Sequence, residues 1–175
     1  MKRTKFVIFL IGAMALGFMV SMPVAAQESI PETIPISGSL DYVPTLLLME
    51  DVGGTTFWDV LEDEVWMGDI AGTASGNDRI MTWASGESEA WITFEIDATV
   101  LGEYEGTLNI ISVWKKKGPT DYWHGEWTIM SGTDDLEHIH GFGVGWGPGF
   151  NREDPEASPD IYYSGEIVFL EPVTN

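Results

Sequence analysis

Apolar and polar residues alternate with a period of two along much of the chain, which is the pattern of β-strands. In EAWITFEIDA, residues 89–98, the apolar positions 90, 92, 94 and 96 fall on one face of the predicted strand. Similar runs occupy residues 36–43, 65–74, 106–114, 122–130, 141–147 and 161–170, and a short strand is predicted at 79–84. Turn-forming stretches such as SGND, residues 75–78, separate these runs. The spacing predicts an all-β barrel or sandwich.

Two segments depart from this alternation. The stretch TTFWDVLEDEVW, residues 55–66, is compatible with a helical turn, and TDDLEHI, residues 133–139, with another. No other part of the chain beyond residue 35 predicts a helix.

The first 26 residues have the pattern of a secretory signal peptide. Three basic residues, Lys2, Arg3 and Lys5, precede an apolar run from Phe6 to Met22 and a small-residue end at Ala26. We expect cleavage after Ala26 and a secreted or otherwise extracytoplasmic location, in a periplasm or at a cell surface. The alternative is an uncleaved anchor, because an apolar run of about 17 residues is at the short limit of a membrane span.

The remainder of the chain is long enough for one domain. Residues 27–35, QESIPETIP, predict a short extended lead-in, and residues 36–175 a single β-barrel domain. The chain has no cysteine, so neither disulfides nor a thiol nucleophile are available, and its stability depends on the core. All eight tryptophans lie after the predicted signal peptide and provide material for that core.

The charge is strongly negative. The chain has 28 acidic and 8 basic residues, and without residues 1–26 the 28 acidic residues face only five basic ones, a formal charge of −23. Such a field repels nucleic acid and anionic membrane surfaces. We therefore predict no nucleic-acid partner and, after signal cleavage, no membrane partner.

The stretch GTDDLEHIHGFGVGWG, residues 132–147, raises the question of a metal site. His138 and His140 share one face of a strand, as in the first half of the cupin motif. A cupin needs a glutamate four or five residues later, where this chain has Val144 and Gly145. The ligand set is incomplete, so the sequence predicts no metal and no other cofactor, and His138 and His140 are the candidates if a metal does bind.

The glycines of the same stretch favour a bend of a barrel. They alternate with apolar residues from Gly141 to Gly149, so an extended chain has one face without side chains. Such a strand permits sharp coiling or the close approach of a neighbouring element. Which of the two faces points inward is left open by the sequence.

These residues carry a family resemblance. The pattern Gly132-Thr133-x-x-Leu136-x-x-Ile139-x-Gly141-x-Gly143, followed by YYSGEI at 162–167, resembles the carboxy-terminal half of small secreted barrels of the allene oxide cyclase-like and dirigent-like group. Asp134 stands where the motif usually has glycine. The resemblance implies about eight antiparallel up-and-down strands, a central cavity for an apolar ligand and, in many cases, a homo-oligomer. It transfers no catalytic residue to this chain.

Three functions remain open. The first is a non-catalytic binding or structural barrel for a small apolar or sugar-like ligand, with Trp123, Trp127 and Trp146 as candidate ligand-binding residues. The second is an isomerase, cyclase or lyase that uses His124 or His140 with Glu126 as an acid–base pair in the cavity. The third is calcium binding by acid-rich turns, but none of these turns has the order of ligands found in an EF-hand. The sequence favours binding over catalysis.

Overall fold

The computed structural model describes residues 31–118, 122–149 and 159–170. The predicted signal peptide, residues 1–26, lies outside the described residues, as does most of the predicted lead-in. The last two residues of that lead-in, Ile34 and Pro35, already belong to the first strand.

Eight strands follow one another along the chain, each antiparallel to the next. They are β1 (Ile34–Val52), β2 (Thr55–Gly68), β3 (Ile70–Trp83), β4 (Ser88–Val100), β5 (Tyr104–Lys116), β6 (Trp123–Gly132), β7 (Ile139–Gly147) and β8 (Ile161–Phe169). The last strand pairs with the first, from Ile34 opposite Ile167 to Leu40 opposite Ile161, and so closes the sheet into a ring. The prediction of about eight antiparallel up-and-down strands is confirmed.

Helical structure is minimal. A single 3-10 turn, Asp134–Leu136, occurs among the described residues, and it lies within the segment 133–139 for which a helical turn was predicted. No described helix has the length and apolar character needed to cross a membrane.

Three local predictions are wrong. The strand predicted at residues 65–74 is divided between β2 and β3, because the chain turns at Asp69. Residues 55–66 form most of strand β2, not a helical turn, and residues 75–78 lie inside β3, not in a turn. Strand β2 pairs with β1 on one edge and with β3 on the other: Thr55 lies opposite Val52 of β1 and opposite Trp83 of β3. This pairing outweighs the weak local preference for a helix.

The two ends of the ring are filled differently. At one end, Ile70, Val100 and Leu108 are fully buried, and Leu136 of the 3-10 turn is also inaccessible to solvent. Ile139 at the start of β7 is 1% exposed and completes this apolar end. Away from this end, the interior beside β2, β3 and the start of β6 contains buried acidic side chains, and the candidate site is there.

The glycine strand β7 turns its bare face inward. A Cβ atom on Gly143 would overlap the indole of Trp127, and one on Gly145 would overlap the indole of Trp114. The alternate residues point outward, and Phe142 is 64% exposed. The predicted close approach of a neighbouring element is confirmed: two tryptophan rings occupy the space that the missing side chains leave.

The side chain of Tyr163 links strand β8 to the start of strand β3 inside the ring. Its buried hydroxyl accepts a hydrogen bond from the Ile70 N–H at 2.8 Å and donates one to the Ile70 carbonyl at 2.9 Å. We expect Tyr163→Phe to lower the free energy of unfolding by about 1–3 kcal/mol, because it leaves a buried N–H without its partner. Tyr162→Phe is the matched control, since that ring is 44% exposed. Equal urea-denaturation midpoints for the two variants would contradict the assignment.

Candidate functional site

Strand β2 places acidic side chains inside the ring. Glu62 is 5% exposed and Glu64 is 4% exposed, whereas Val65 between Glu64 and Trp66 points outward and is 51% exposed. Asp78 of the neighbouring strand β3 is 4% exposed and lies diagonal to Glu62, because its register partner is Val60. We call Glu62, Glu64 and Asp78 the carboxyl cluster.

The carboxyl cluster lines a cavity with mostly apolar walls. The cavity has a volume of about 50 Å³, and all three acids border it. A single ordered water requires roughly 10–15 Å³, so the cavity has room for several waters or a small ligand. The aromatic part of the wall consists of Tyr42, Trp66, Phe94, Trp114, Trp123 and Trp127.

The glycines shape this cavity. Trp127 and Trp114, two of its walls, reach their positions because Gly143 and Gly145 leave space behind their rings. Gly125 of β6 does the same on the other side of Trp114. The tryptophan walls therefore require the face of β7 that has no side chains. This structural role is the one that the sequence favoured for the glycines, and they contribute no functional group to the cavity.

The hydrogen bonds of the carboxyl cluster are incomplete. The Trp66 indole N–H donates to Glu64 Oε2 at 2.6 Å. Glu62 accepts no hydrogen bond from any residue that the structure describes. Within the same part of the chain, Asp78 Oδ1 is a buried side-chain oxygen without a partner. Buried polar atoms are normally satisfied, so an unpaired oxygen at a cavity wall indicates a site that a ligand or water completes.

Burial and mutual repulsion raise the pKa values of all three acids and so favour their uncharged, protonated forms. Burial, together with the charges of Asp78, Glu64 and Asp160, raises the pKa of Glu62 to about 9. Burial also raises the pKa of Glu64 to about 7, against the opposing effect of the Trp66 hydrogen bond. The pKa of Asp78 is about 7, because the group is buried and faces the charge of Glu64. The cluster therefore changes its ionisation within the physiological range.

Asp160 lies next to this cluster at the start of β8. Its carboxylate accepts a hydrogen bond from the Tyr42 N–H at 3.0 Å, and its own N–H donates to Asp41 at 3.1 Å. Burial raises its pKa, and the hydrogen bond from Tyr42 opposes the rise. Because its bonds hold β1 against β8, we assign Asp160 a structural role beside the cavity.

Two of the three candidate ligand-binding tryptophans line the cavity. Trp127 is 2% exposed, and Trp123 is half-buried with the ammonium of Lys116 5.8 Å from its ring centre. Trp146 points outward, is 39% exposed and stacks on Tyr162. Their positions do not test the prediction that these residues contact a ligand, but of the three only Trp123 and Trp127 line the interior cavity.

The candidate histidines and Glu126 lie outside the cavity. His124 and Glu126 share the outer face of β6, and both are exposed. His138 and His140 are exposed at the start of β7. Across the described ranges, no group of three or more histidine and acidic side chains converges to hold a metal ion. The structure thus brings none of these residues to the carboxyl cluster.

Comparison with known proteins shows the fold alone. No protein-family model matches the chain, and no curated protein matches it. Three chains of solved structures do match it. One of them is a protein of unknown function from the DUF3224 family of Shewanella oneidensis MR-1, with a TM-score of 0.63 and 14% sequence identity. The match covers 81% of this chain and all of that one. At this identity the similarity extends to the all-β fold, and it provides no support for a specific relation to allene oxide cyclases or dirigent proteins.

Proposed function

We propose that the protein is a non-catalytic binding protein for a small molecule with an apolar body, which is held inside the ring of strands. The observation that carries this proposal is the buried Asp78 Oδ1, which has no partner among the described residues and lies at the wall of a mostly apolar cavity. Apolar walls with a few convergent polar groups are typical of small-molecule sites. A cavity of this kind also agrees with the barrel that the allene oxide cyclase-like resemblance implies.

The position of the cavity supports binding over a purely structural role. The side chains at the opposite end of the ring are apolar and inaccessible to solvent. The fold is therefore able to fill its interior with apolar side chains. A protein under selection for stability alone gains nothing from three buried acids, since each loses hydration. The signal-peptide pattern of residues 1–26 supports an extracytoplasmic site of action for this binding.

The test is a tryptophan-fluorescence titration with three probes of equal length: 1-butanol, butylamine and butyrate. We expect at least one to bind with a dissociation constant of about 1 mM or tighter, as the small number of atoms permits. Ala90 is buried in the cavity wall. Ala90→Leu fills the space and should abolish binding.

The same substitution at an exposed position provides the control. Ala84 lies in the exposed turn between β3 and β4, so Ala84→Leu should leave the titration unchanged. Thermal unfolding of both variants checks that each is folded. If none of the three probes binds the parent protein, or if folded Ala90→Leu binds as well as the parent, the proposed function is rejected.

A further inference from the structure

We propose that the ligand of the interior cavity is a small organic cation, an ammonium group on an apolar body, whose N–H donors bind the carboxyl cluster while the body packs against the tryptophans. This inference rests on the proposed function and specifies the chemical class of its ligand. It is carried by the unpaired Asp78 oxygen, the grouping of three acids on two strands and the aromatic walls.

The cluster has no positive partner among the described residues. Arg79 pairs with Asp59 at 3.6 Å, and Lys115 pairs with Glu89 at 3.7 Å, neither of which lines the cavity. Natural buried acids are usually paired or bind cations. Three buried acids that repel one another, with no counter-ion in the described part of the chain, form a site whose electrostatics a ligand cation completes.

The hydrogen-bonding pattern selects a donor. Asp78 Oδ1 is a buried oxygen without a partner, and Glu62 accepts no bond from the described part of the chain. An ammonium group provides up to three N–H donors, and bonds to charged groups are shorter and stronger than neutral ones. A ligand carboxylate offers only acceptors and adds a further negative charge beside acids that are partly ionised near pH 7, so the cavity disfavours it.

The aromatic walls suit the same ligand. Tryptophan is the aromatic side chain that attracts a cation most strongly, and aromatic cages bind ammonium ligands in this way. The rim of the cavity already contains one such contact, in which the Lys116 ammonium lies 5.8 Å from the centre of the Trp123 ring. Trp66, Trp114 and Trp127 continue this surface inward.

Cation binding must then release protons. The titratable groups beside the cluster are Asp160 at the start of β8 and Tyr42 on β1, while the hydroxyl of Tyr163 is bonded to Ile70 at the apolar end. The cavity-lining residues of β4, β5, β6 and β8 carry no charge. A cation stabilises the ionised carboxylates and lowers their pKa, so protons leave when it binds. Affinity for the cation should therefore rise as the pH rises from 6 to 9.

The experiment compares the three four-carbon probes by isothermal titration calorimetry. We expect butylamine to bind at least about tenfold more tightly than 1-butanol, as a charge-assisted hydrogen bond in a buried site implies, and butyrate not to bind. Titrations in buffers of different ionisation enthalpy should show proton release for butylamine alone. If 1-butanol binds as tightly as butylamine, the cation is not recognised and this inference falls while the proposed function stands. If no probe binds, both fall.

Variants separate recognition from stability. We expect Asp78→Asn and Glu62→Gln to weaken butylamine binding about tenfold or more, by loss of a charged partner, with little change for 1-butanol. Glu95 is exposed on the outer face of β4, so Glu95→Gln is a matched control that should leave both titrations unchanged. Equal weakening of amine and alcohol would show only a distorted cavity and would overturn the role assigned to the carboxyl cluster.

Discussion

Replacement of Glu62 by glutamine is expected to stabilise the protein above about pH 6. Burial and three neighbouring acids raise the pKa of Glu62 from 4.5 to about 9. Between these values the folded protein retains a proton that the unfolded chain has lost. Because the native state then binds more protons, the free energy of unfolding falls as pH rises through this range. Glutamine is uncharged in the folded and the unfolded protein, so the variant does not lose stability in this way as the pH rises.

The expected size follows from the same difference in proton binding. One proton corresponds to about 1.4 kcal/mol per pH unit, so between pH 5.5 and pH 7.5 the parent should lose roughly 2–3 kcal/mol more than Glu62→Gln. Thermal unfolding should show the melting temperature of the variant exceeding that of the parent by roughly 5–10 °C at the higher pH. Near pH 4.5 the two proteins should differ little.

Glu126→Gln is the control for this experiment. Glu126 is exposed on the outer face of β6, where the change removes one surface charge without a buried proton. Its pH profile should run parallel to that of the parent protein. If Glu62→Gln also runs parallel, Glu62 is ionised in the folded protein, and the account of a neutral, crowded cluster is wrong.

The architecture was accessible from the sequence because most strands have one apolar face. In β4, the positions 90, 92, 94 and 96 that alternate in the sequence are all buried. The glycine strand was also recognisable, since the repeat from Gly141 leaves one face bare. What remained open was its direction, because a face without side chains carries no hydrophobic signal. Only the positions of Trp114 and Trp127 show that this face is internal.

The carboxyl cluster was missed because β2 lacks the usual division into one apolar and one polar face. Its inward face has two successive glutamates between Val60 and Trp66, and its outward face includes exposed Val65 and Met67. Neither face is more apolar, so the period of two that identifies a half-buried strand is absent. The signal that was available is the spacing of Glu62, Glu64 and Trp66, which share one face if the segment is extended. Asp78 could not be linked to them before the register of β2 and β3 was known.

The same mixture explains why residues 55–66 predicted a helical turn. Acids at 59, 62, 63 and 64 among apolar residues do not alternate, and local preference alone then decides the prediction. In the protein, β1 and β3 bind this strand on both edges. The proposed site thus lies in the part of the fold whose sequence departs most from the pattern of its element, as expected where a site is built at the expense of stability.

Gly145→Ala is expected to destabilise the protein and to close its cavity. A Cβ atom at this position would overlap the outer ring atoms of Trp114 and lie 3.1 Å from the carbonyl oxygen of Tyr162. Overpacking of this kind typically lowers the free energy of unfolding by about 1–3 kcal/mol. Because Trp114 lines the cavity, its displaced ring also occupies space that a ligand needs. Urea denaturation should show the loss of stability, and the butylamine titration a loss of affinity.

A double-mutant cycle with Trp114→Phe separates this steric cause from a general effect of replacing glycine in a strand. Phenylalanine lacks the outer ring atoms that the new methyl group would meet, so Gly145→Ala should cost less in the Trp114→Phe background, by about 1–2 kcal/mol. Trp114→Phe alone removes the indole N–H that donates to Ser112 Oγ at 2.8 Å, and the cycle subtracts that loss. If the changes in the free energy of unfolding are additive, a methyl group at residue 145 does not clash with the Trp114 ring. The glycine would then not be required for the position of that ring.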